Sequence, residues 1–342
     1  METLMLAEKL YDKLKNIKGD NPLCRYTFER CERLVPFVEE IETLKSEKEA
    51  LILAHSYVHP DILYTVADHV GDSYGLALKA KEATEKVIVF PAVRFMAETA
   101  KILNPKKTVI DPNPNGGCSL ADSVTADDVY ALREKYPDYT FVCYINTTAA
   151  VKAACDICVT SSNVYKIIEN LPNDKIYFLP DKLMGENIQN ALGDKKEIKL
   201  YDGSCYVHEE FTAAEVHLLK QSHPNLSVLA HPECTQSVIK EADVVGSTSQ
   251  IINYVKEHQT HPNPFLILTE CGITSRLQVE NPNLNLVGSC MMCRYMKSNS
   301  LELILKALKN PLPSQVISID LEDHRKALSC INQMFNYTLE CH

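Results

Sequence analysis

Thr125-Ala-Asp-Asp-Val-Tyr-Ala-Leu-Arg-Glu-Lys-Tyr-Pro137-Asp and Thr212-Ala-Ala-Glu-Val-His-Leu-Leu-Lys-Gln-Ser-His-Pro224-Asn stand in register 87 residues apart. Each reads as an amphipathic helix stopped by proline, and an apolar strand follows each one: Tyr139-Thr-Phe-Val-Cys-Tyr144 and Leu226-Ser-Val-Leu-Ala-His231. A third helix of this kind ends at Pro311, another 87 residues on, and the strand Ala50-Leu-Ile-Leu-Ala-His55 opens the first unit. Short apolar strands keep the same beat at Val87-Ile-Val-Phe90, Ile176-Tyr-Phe-Leu179 and Phe265-Leu-Ile-Leu268. So do the polar turns Gly71-Asp-Ser73, Val159-Thr-Ser161 and Gly246-Ser-Thr248, and the cysteines Cys118, Cys205 and Cys293.

Continuous apolar strands alternating with helices indicate parallel sheets covered on both faces. A unit of about 87 residues is long for a solenoid repeat and long enough for a compact domain. The expectation is an α/β fold of three homologous three-layer α/β/α sandwich domains with parallel sheets, at 49–137, 138–224 and 225–312, closed around a pseudo-threefold axis. Residues 1–48 read as a helical lead-in, and 313–342 as a closing segment whose helix, Asp323–Leu339, packs back on the body.

The 342 residues are 45% hydrophobic and 23% charged, enough for several cores and too apolar for disorder. A net charge of -10 leaves no basic field for nucleic acid. No stretch approaches the roughly 20 apolar residues of a membrane span. The start, Met1-Glu-Thr-Leu-Met-Leu-Ala-Glu8, lacks a basic n-region and a long apolar core, so a cytoplasmic protein is expected. In that compartment 13 cysteines point to metal or redox work rather than disulfide staples.

Ligands of parallel α/β sheets bind beyond the carboxyl ends of the strands. His55, Tyr144 and His231 stand at such ends, and Ser73, Ser161 and Thr248 at strand-to-helix turns. Taken singly, those hydroxyls would be helix N-caps; taken as a periodic set, they suit a carboxylate or phosphate held at helix N-termini. The three periodic cysteines sit in loops before helices, where a helix N-terminus favours the thiolate. One sulfur from each unit would hold an iron–sulfur cluster or a zinc ion with one coordination position open to substrate. Two further pairs, Cys155/Cys158 and Cys290/Cys293, are too far apart in sequence for a zinc ribbon, and the apolar setting of the first indicates packing. Glycine-rich nucleotide loops and the Gly-x-Ser-x-Gly elbow are absent from the sequence.

The segments Leu53-Ala-His55-Ser-Tyr57, Gly71-Asp-Ser73, Phe95-Met-Ala-Glu-Thr-Ala-Lys-Ile-Leu-Asn-Pro105, Cys118-Ser-Leu-Ala-Asp122 and Tyr144-Ile-Asn146-Thr-Thr148 resemble those of the quinolinate synthase family. So do Val159-Thr-Ser161-Ser-Asn163, Cys205-Tyr-Val-His208, His231-Pro-Glu233-Cys234 and Ser247-Thr248, in the same order, across about residues 50–310. The resemblance implies a transferase of NAD biosynthesis that condenses iminosuccinate (iminoaspartate) with dihydroxyacetone phosphate to quinolinate, with loss of phosphate and two waters. It implies a [4Fe–4S] cluster on Cys118, Cys205 and Cys293, whose fourth iron acts as Lewis acid. His55, Ser73, Ser161 and Thr248 would bind the dicarboxylate, with Tyr144, Ile145, Asn146, His231, Pro232 and Glu233 completing the pocket. Tyr57 and Glu233 would transfer protons, Tyr144 would stand with them, and His208 would contact the triose phosphate. An aspartate oxidase or aspartate dehydrogenase supplying the labile imine is the expected transient partner. Some members carry Cys-x-x-Cys-x-x-Cys where this chain has only Cys290-Met-Met-Cys293. Two other classes use the same thiols: a zinc-dependent lyase or aldolase, and a non-catalytic iron–sulfur redox sensor.

Overall fold

The computed structural model describes residues 2–18, 25–260, 262–288 and 291–340. Among the described residues twelve strands form three four-stranded sheets. The first contains β1 (Ala50–His55), β2 (His69–Gly71), β3 (Val87–Val89) and β4 (Thr108–Ile110). The second contains β5 (Thr140–Tyr144), β6 (Ile157–Val159), β7 (Lys175–Leu179) and β8 (Glu197–Leu200). The third contains β9 (Ser227–Ala230), β10 (Val244–Val245), β11 (Phe265–Leu268) and β12 (Leu286–Val287). Strand order is the same in each, β2-β1-β3-β4, β6-β5-β7-β8 and β10-β9-β11-β12, and every ladder is parallel.

Both faces of these sheets are covered, which is why their strands read as continuous apolar runs. In the third sheet, Val228, Ala230, Leu266 and Leu268 join one core, while Leu229, Phe265 and Ile267 join another on the opposite face. The first two sheets share one continuous core. The α/β/α architecture expected from the repeat is therefore present three times.

Local chemistry explains the repeated helices. Thr125 and Thr212 are N-caps whose hydroxyls accept the N–H of Asp128 and Glu215, and those carboxylates return to the cap N–H groups. The helices Ala126–Lys135 and Ala213–Ser222 end just before Pro137 and Pro224. The third copy, Leu301–Lys309, is capped by Ser300 and followed by Pro311. Its Leu301, Ile304 and Leu305 join the core that holds Val38 and Ile41 of the lead-in helix Phe28–Lys48.

A second repeated device was not foreseen. Asp68, Asp156 and Asp243 each accept a main-chain N–H, from Ile52, Phe141 and Val228 at 2.8, 2.7 and 2.8 Å. Each returns its own N–H to the carbonyl of the same residue. The pairing locks the start of the second strand of every sheet onto the first.

The closing helix spans Leu321–Glu340 and packs on the helix Ala149–Ala154 and on β6. Cys143 and Cys330 lie 3.7 Å apart between it and the second sheet, where Cys155 and Cys158 are also buried. The first Cys-x-x-Cys pair is thus core packing. Among the described residues no helix is long and apolar enough to cross a membrane.

Candidate active site

The carboxyl ends of all three sheets open on one cavity of about 620 Å³, its mouth included. Each sheet contributes the same three features. The strand-end residues of β1, β5 and β9 bring His55, Tyr144 and His231 to the wall. The turns after β2, β6 and β10 bring Ser73, Ser161 and Thr248, and the loops after β4, β8 and β12 bring Cys118, Cys205 and Cys293. Tyr57, Asn146, His208 and Glu233 also line it. Ile145 and Pro232 stand behind the wall: Ile145 is buried beside Phe90 and Met96, and the Pro232 carbonyl accepts from Asn187 Nδ2 at 2.9 Å.

Capping of the helices Ser73–Glu82 and Thr248–Glu257 falls to Asp72 and Ser247, whose side chains accept the N–H of Gly75 and Gln250. Ser73 and Thr248 are the first helical residues instead, so the N-cap reading of these hydroxyls does not hold. Thr248 Oγ1 is buried with no hydrogen-bond partner, which marks it for a ligand.

A polar network crosses the cavity wall. Tyr57 Oη lies 2.6 Å from Thr269 Oγ1, which lies 2.9 Å from His208 Nε2. His208 Nδ1 is 3.0 Å from Glu233 Oε2 without making a hydrogen bond. The Tyr144 hydroxyl donates to Glu233 Oε1 at 2.7 Å. Burial alone would raise the Glu233 pKa, but His208, His231 and the Tyr144 hydroxyl outweigh it and hold the carboxyl down to about 2. Burial, reinforced by the Glu233 charge, pushes both phenols well above their ordinary range, so Tyr57 and Tyr144 are O–H donors.

The two strand-end histidines share one arrangement. His55 Nδ1 accepts the Tyr57 N–H at 3.2 Å, and His231 Nδ1 accepts the Glu233 N–H at 3.4 Å. Burial lowers His55 to about 4 and His231 to about 3, so both rings are neutral with the proton on Nε2.

Among the described cysteines, Cys118, Cys205 and Cys293 are the partly accessible ones, and the others are buried. The expected thiolate bias is overturned: burial raises Cys118 to about 12, raises Cys293, and raises Cys205 well above its ordinary value. Backbone N–H groups of the following turns oppose this, but these turns are too short to win. Binding a thiophilic group must therefore displace protons. Cys290 lies outside the described residues. Sequence reasoning missed Asp72, Thr269 and Glu270. Asp72 and Glu270 line the cavity and Thr269 bridges Tyr57 to His208.

Residues 39–336 match the family model described as Quinolinate synthetase A protein. This chain belongs to the quinolinate synthase family. Quinolinate synthase 1 of Mesorhizobium japonicum is 42% identical over 316 residues, 90% of this chain and 96% of that relative. The quinolinate synthase of Sinorhizobium medicae is 40% identical over 330 residues, 96% of this chain and 88% of its own length. That of Caldicellulosiruptor saccharolyticus is 46% identical over 271 residues, 79% of this chain and 88% of its own length. The quinolinate synthase motifs quoted from the sequence are thus the segments that form the cavity.

Proposed function

We propose that this protein condenses iminosuccinate with dihydroxyacetone phosphate to quinolinate, releasing phosphate and two waters, as a cytoplasmic step toward NAD. The observation that carries this reading is the meeting, in one cavity, of three repeat-related thiols with a buried, ionised carboxylate that accepts from the Tyr144 phenol.

The donor set suits a [4Fe–4S] cluster. One thiol comes from each sheet, and Cys118, Cys205 and Cys293 interact through their charges. Among the described residues the metal-ligating atoms of Cys205, His208 and Glu233 also lie within 4.8 Å of one another. Held by these cysteines, the cluster would supply a Lewis-acidic iron with a position open to a substrate oxygen.

The chain's own groups account for binding and proton traffic. Ser73, Ser161 and Thr248, with the N–H groups of the two long helices, receive the carboxylates of the imine. Neutral His55 and His231 offer Nε2–H to the same anion. Glu233 takes the proton released on carbon–carbon bond formation, and the Tyr57 phenol, hydrogen-bonded to Thr269, gives one to a departing hydroxyl. The aspartate-oxidising enzyme that makes the imine is the expected transient partner.

Anaerobically prepared protein given iminosuccinate and dihydroxyacetone phosphate is expected to form quinolinate, to be brown, and to lose both properties in Cys205→Ser. Stoichiometric zinc without iron would instead support a zinc-dependent lyase or aldolase on the same thiols. Loss of activity in Ser161→Ala with the cluster retained separates the enzyme from a redox sensor.

A further inference from the structure

Glu270 and Lys297 are left over by this chemistry. Glu270 follows β11, is fully buried and reaches the cavity wall. Its Oε1 accepts the Cys293 N–H at 3.1 Å and lies 3.1 Å from Lys297 Nζ. Its Oε2 accepts the Gly272 N–H at 2.6 Å and a second contact from Lys297 at 3.2 Å. A carboxylate so surrounded by donors is committed to accepting and is poorly placed to carry protons.

Lys297 turns the other way as well. Its Nζ donates to the Tyr57 carbonyl, and its own carbonyl contacts His59 Nε2 at 2.8 Å. The helix Gly272–Glu280 presses on the same segment. A Cβ at Gly272 would fall 2.6 Å from the Ser56 carbonyl oxygen and 2.8 Å from Tyr57 Cα, so only glycine allows this approach. Arg276 Nη1 donates to Ser56 Oγ at 3.0 Å. The main chain at Tyr57, which follows β1 of the first sheet, is thereby gripped by groups of the third repeat.

We propose that the Glu270–Lys297 ion pair is a positioning element that fixes the Tyr57 main chain against the Cys293 loop, and so sets the acid relative to the thiol centre. The roles of Tyr57 and Cys293 in this statement rest on the proposed function. The pair acts through the backbone of Tyr57 and Cys293.

Lys297→Met would strand a buried carboxylate, so the double variant Glu270→Gln/Lys297→Met, which buries no unpaired charge, is the stronger test. In hydrogen exchange, the amides of Cys293 and Gly272 should open at least tenfold faster in the double variant, with the amides of β1 and β5 unchanged. Turnover should fall tenfold or more while the KM for iminosuccinate stays within twofold, because the dicarboxylate contacts are untouched. Wild-type exchange rates at those two amides, or equal loosening across all three sheets, would overturn the proposal. If the wild type makes no quinolinate, the functional reading fails, and the exchange measurement alone still decides the role of the pair.

Discussion

The Tyr144 hydroxyl donates to Glu233 Oε1 at 2.7 Å, and this contact joins the end of β5 in the second sheet to the loop after β9 in the third. Both groups are buried, so the bond is made to a charge in a poorly solvated site. Tyr144→Phe removes it at a cost of about 1.5–3 kcal/mol. With the donor gone, the Glu233 carboxyl, held at about 2, rises toward its ordinary value. The expected outcome is lower turnover and an acid limb of the pH–rate profile displaced upward. A slower enzyme with an unmoved limb would refute the role given to Glu233.

Thr248 Oγ1 is buried without a partner and stands at the first residue of its helix. Thr248→Val keeps the shape and drops the orphaned hydroxyl. The ligand-free protein should be as stable as wild type or more stable, by up to about 1 kcal/mol. Affinity for a four-carbon dicarboxylate should fall about tenfold, the worth of one hydrogen bond to a charged group. Thermal melting and calorimetric titration check the two halves separately.

Acid sensitivity follows from the buried imidazoles. Unfolded, each takes up its proton near 6.5; folded, His55 does so only at about 4 and His231 at about 3. Between those values unfolding binds protons, so their contribution is complete above about pH 6.5 and drains as the pH falls. Glu233, depressed from 4.5 to about 2, adds a further loss below pH 4.5. His55→Gln should remove roughly 3 kcal/mol of the decline between neutral pH and pH 4. Urea unfolding at stepped pH tests this: a wild-type slope in the variant would contradict it.

Lys152 is fully buried, and its Nζ donates to the Ile145 carbonyl at 2.8 Å and to the Thr147 carbonyl. It thereby holds the turn that presents Tyr144 and Asn146 to the cavity. Lys152→Met takes the lysine donor from the Thr147 carbonyl and leaves the Ile145 carbonyl with the Thr147 N–H alone. A loss of about 2–4 kcal/mol is expected by urea unfolding, together with a raised KM for the dicarboxylate.

The three-sheet fold was legible because each copy repeats the same local instructions. Thr125 and Thr212 cap helices with an acid three residues on, and the strands after them are apolar on both faces because both faces are buried. Periodicity also exposed His55, Tyr144, His231 and the three cavity cysteines. It could not expose Thr269 or Glu270. In the register of the three strands Thr269 stands where the first two units have Pro91 and Pro180, and Glu270 where they have Ala92 and Asp181, so the Thr-Glu pair does not recur as a unit. Val93, Phe95 and Met296 line the cavity with side chains that, in sequence, look like any core residue.

From its residues alone this chain declared a triplicated α/β unit and the chemistry each copy carries to its strand ends, because capping, alternation and burial of a strand are settled within a few neighbouring residues. Which of those groups meet was decided by how the three sheets pack. Tyr144 finds Glu233, Tyr57 finds Thr269 and Thr269 finds His208, across 61 to 212 positions of sequence. The same packing turned Cys143 and Cys330 toward each other in the core and Cys118, Cys205 and Cys293 toward the cavity. Contacts between distant segments depend on the fit of whole faces, and no local pattern encodes that fit.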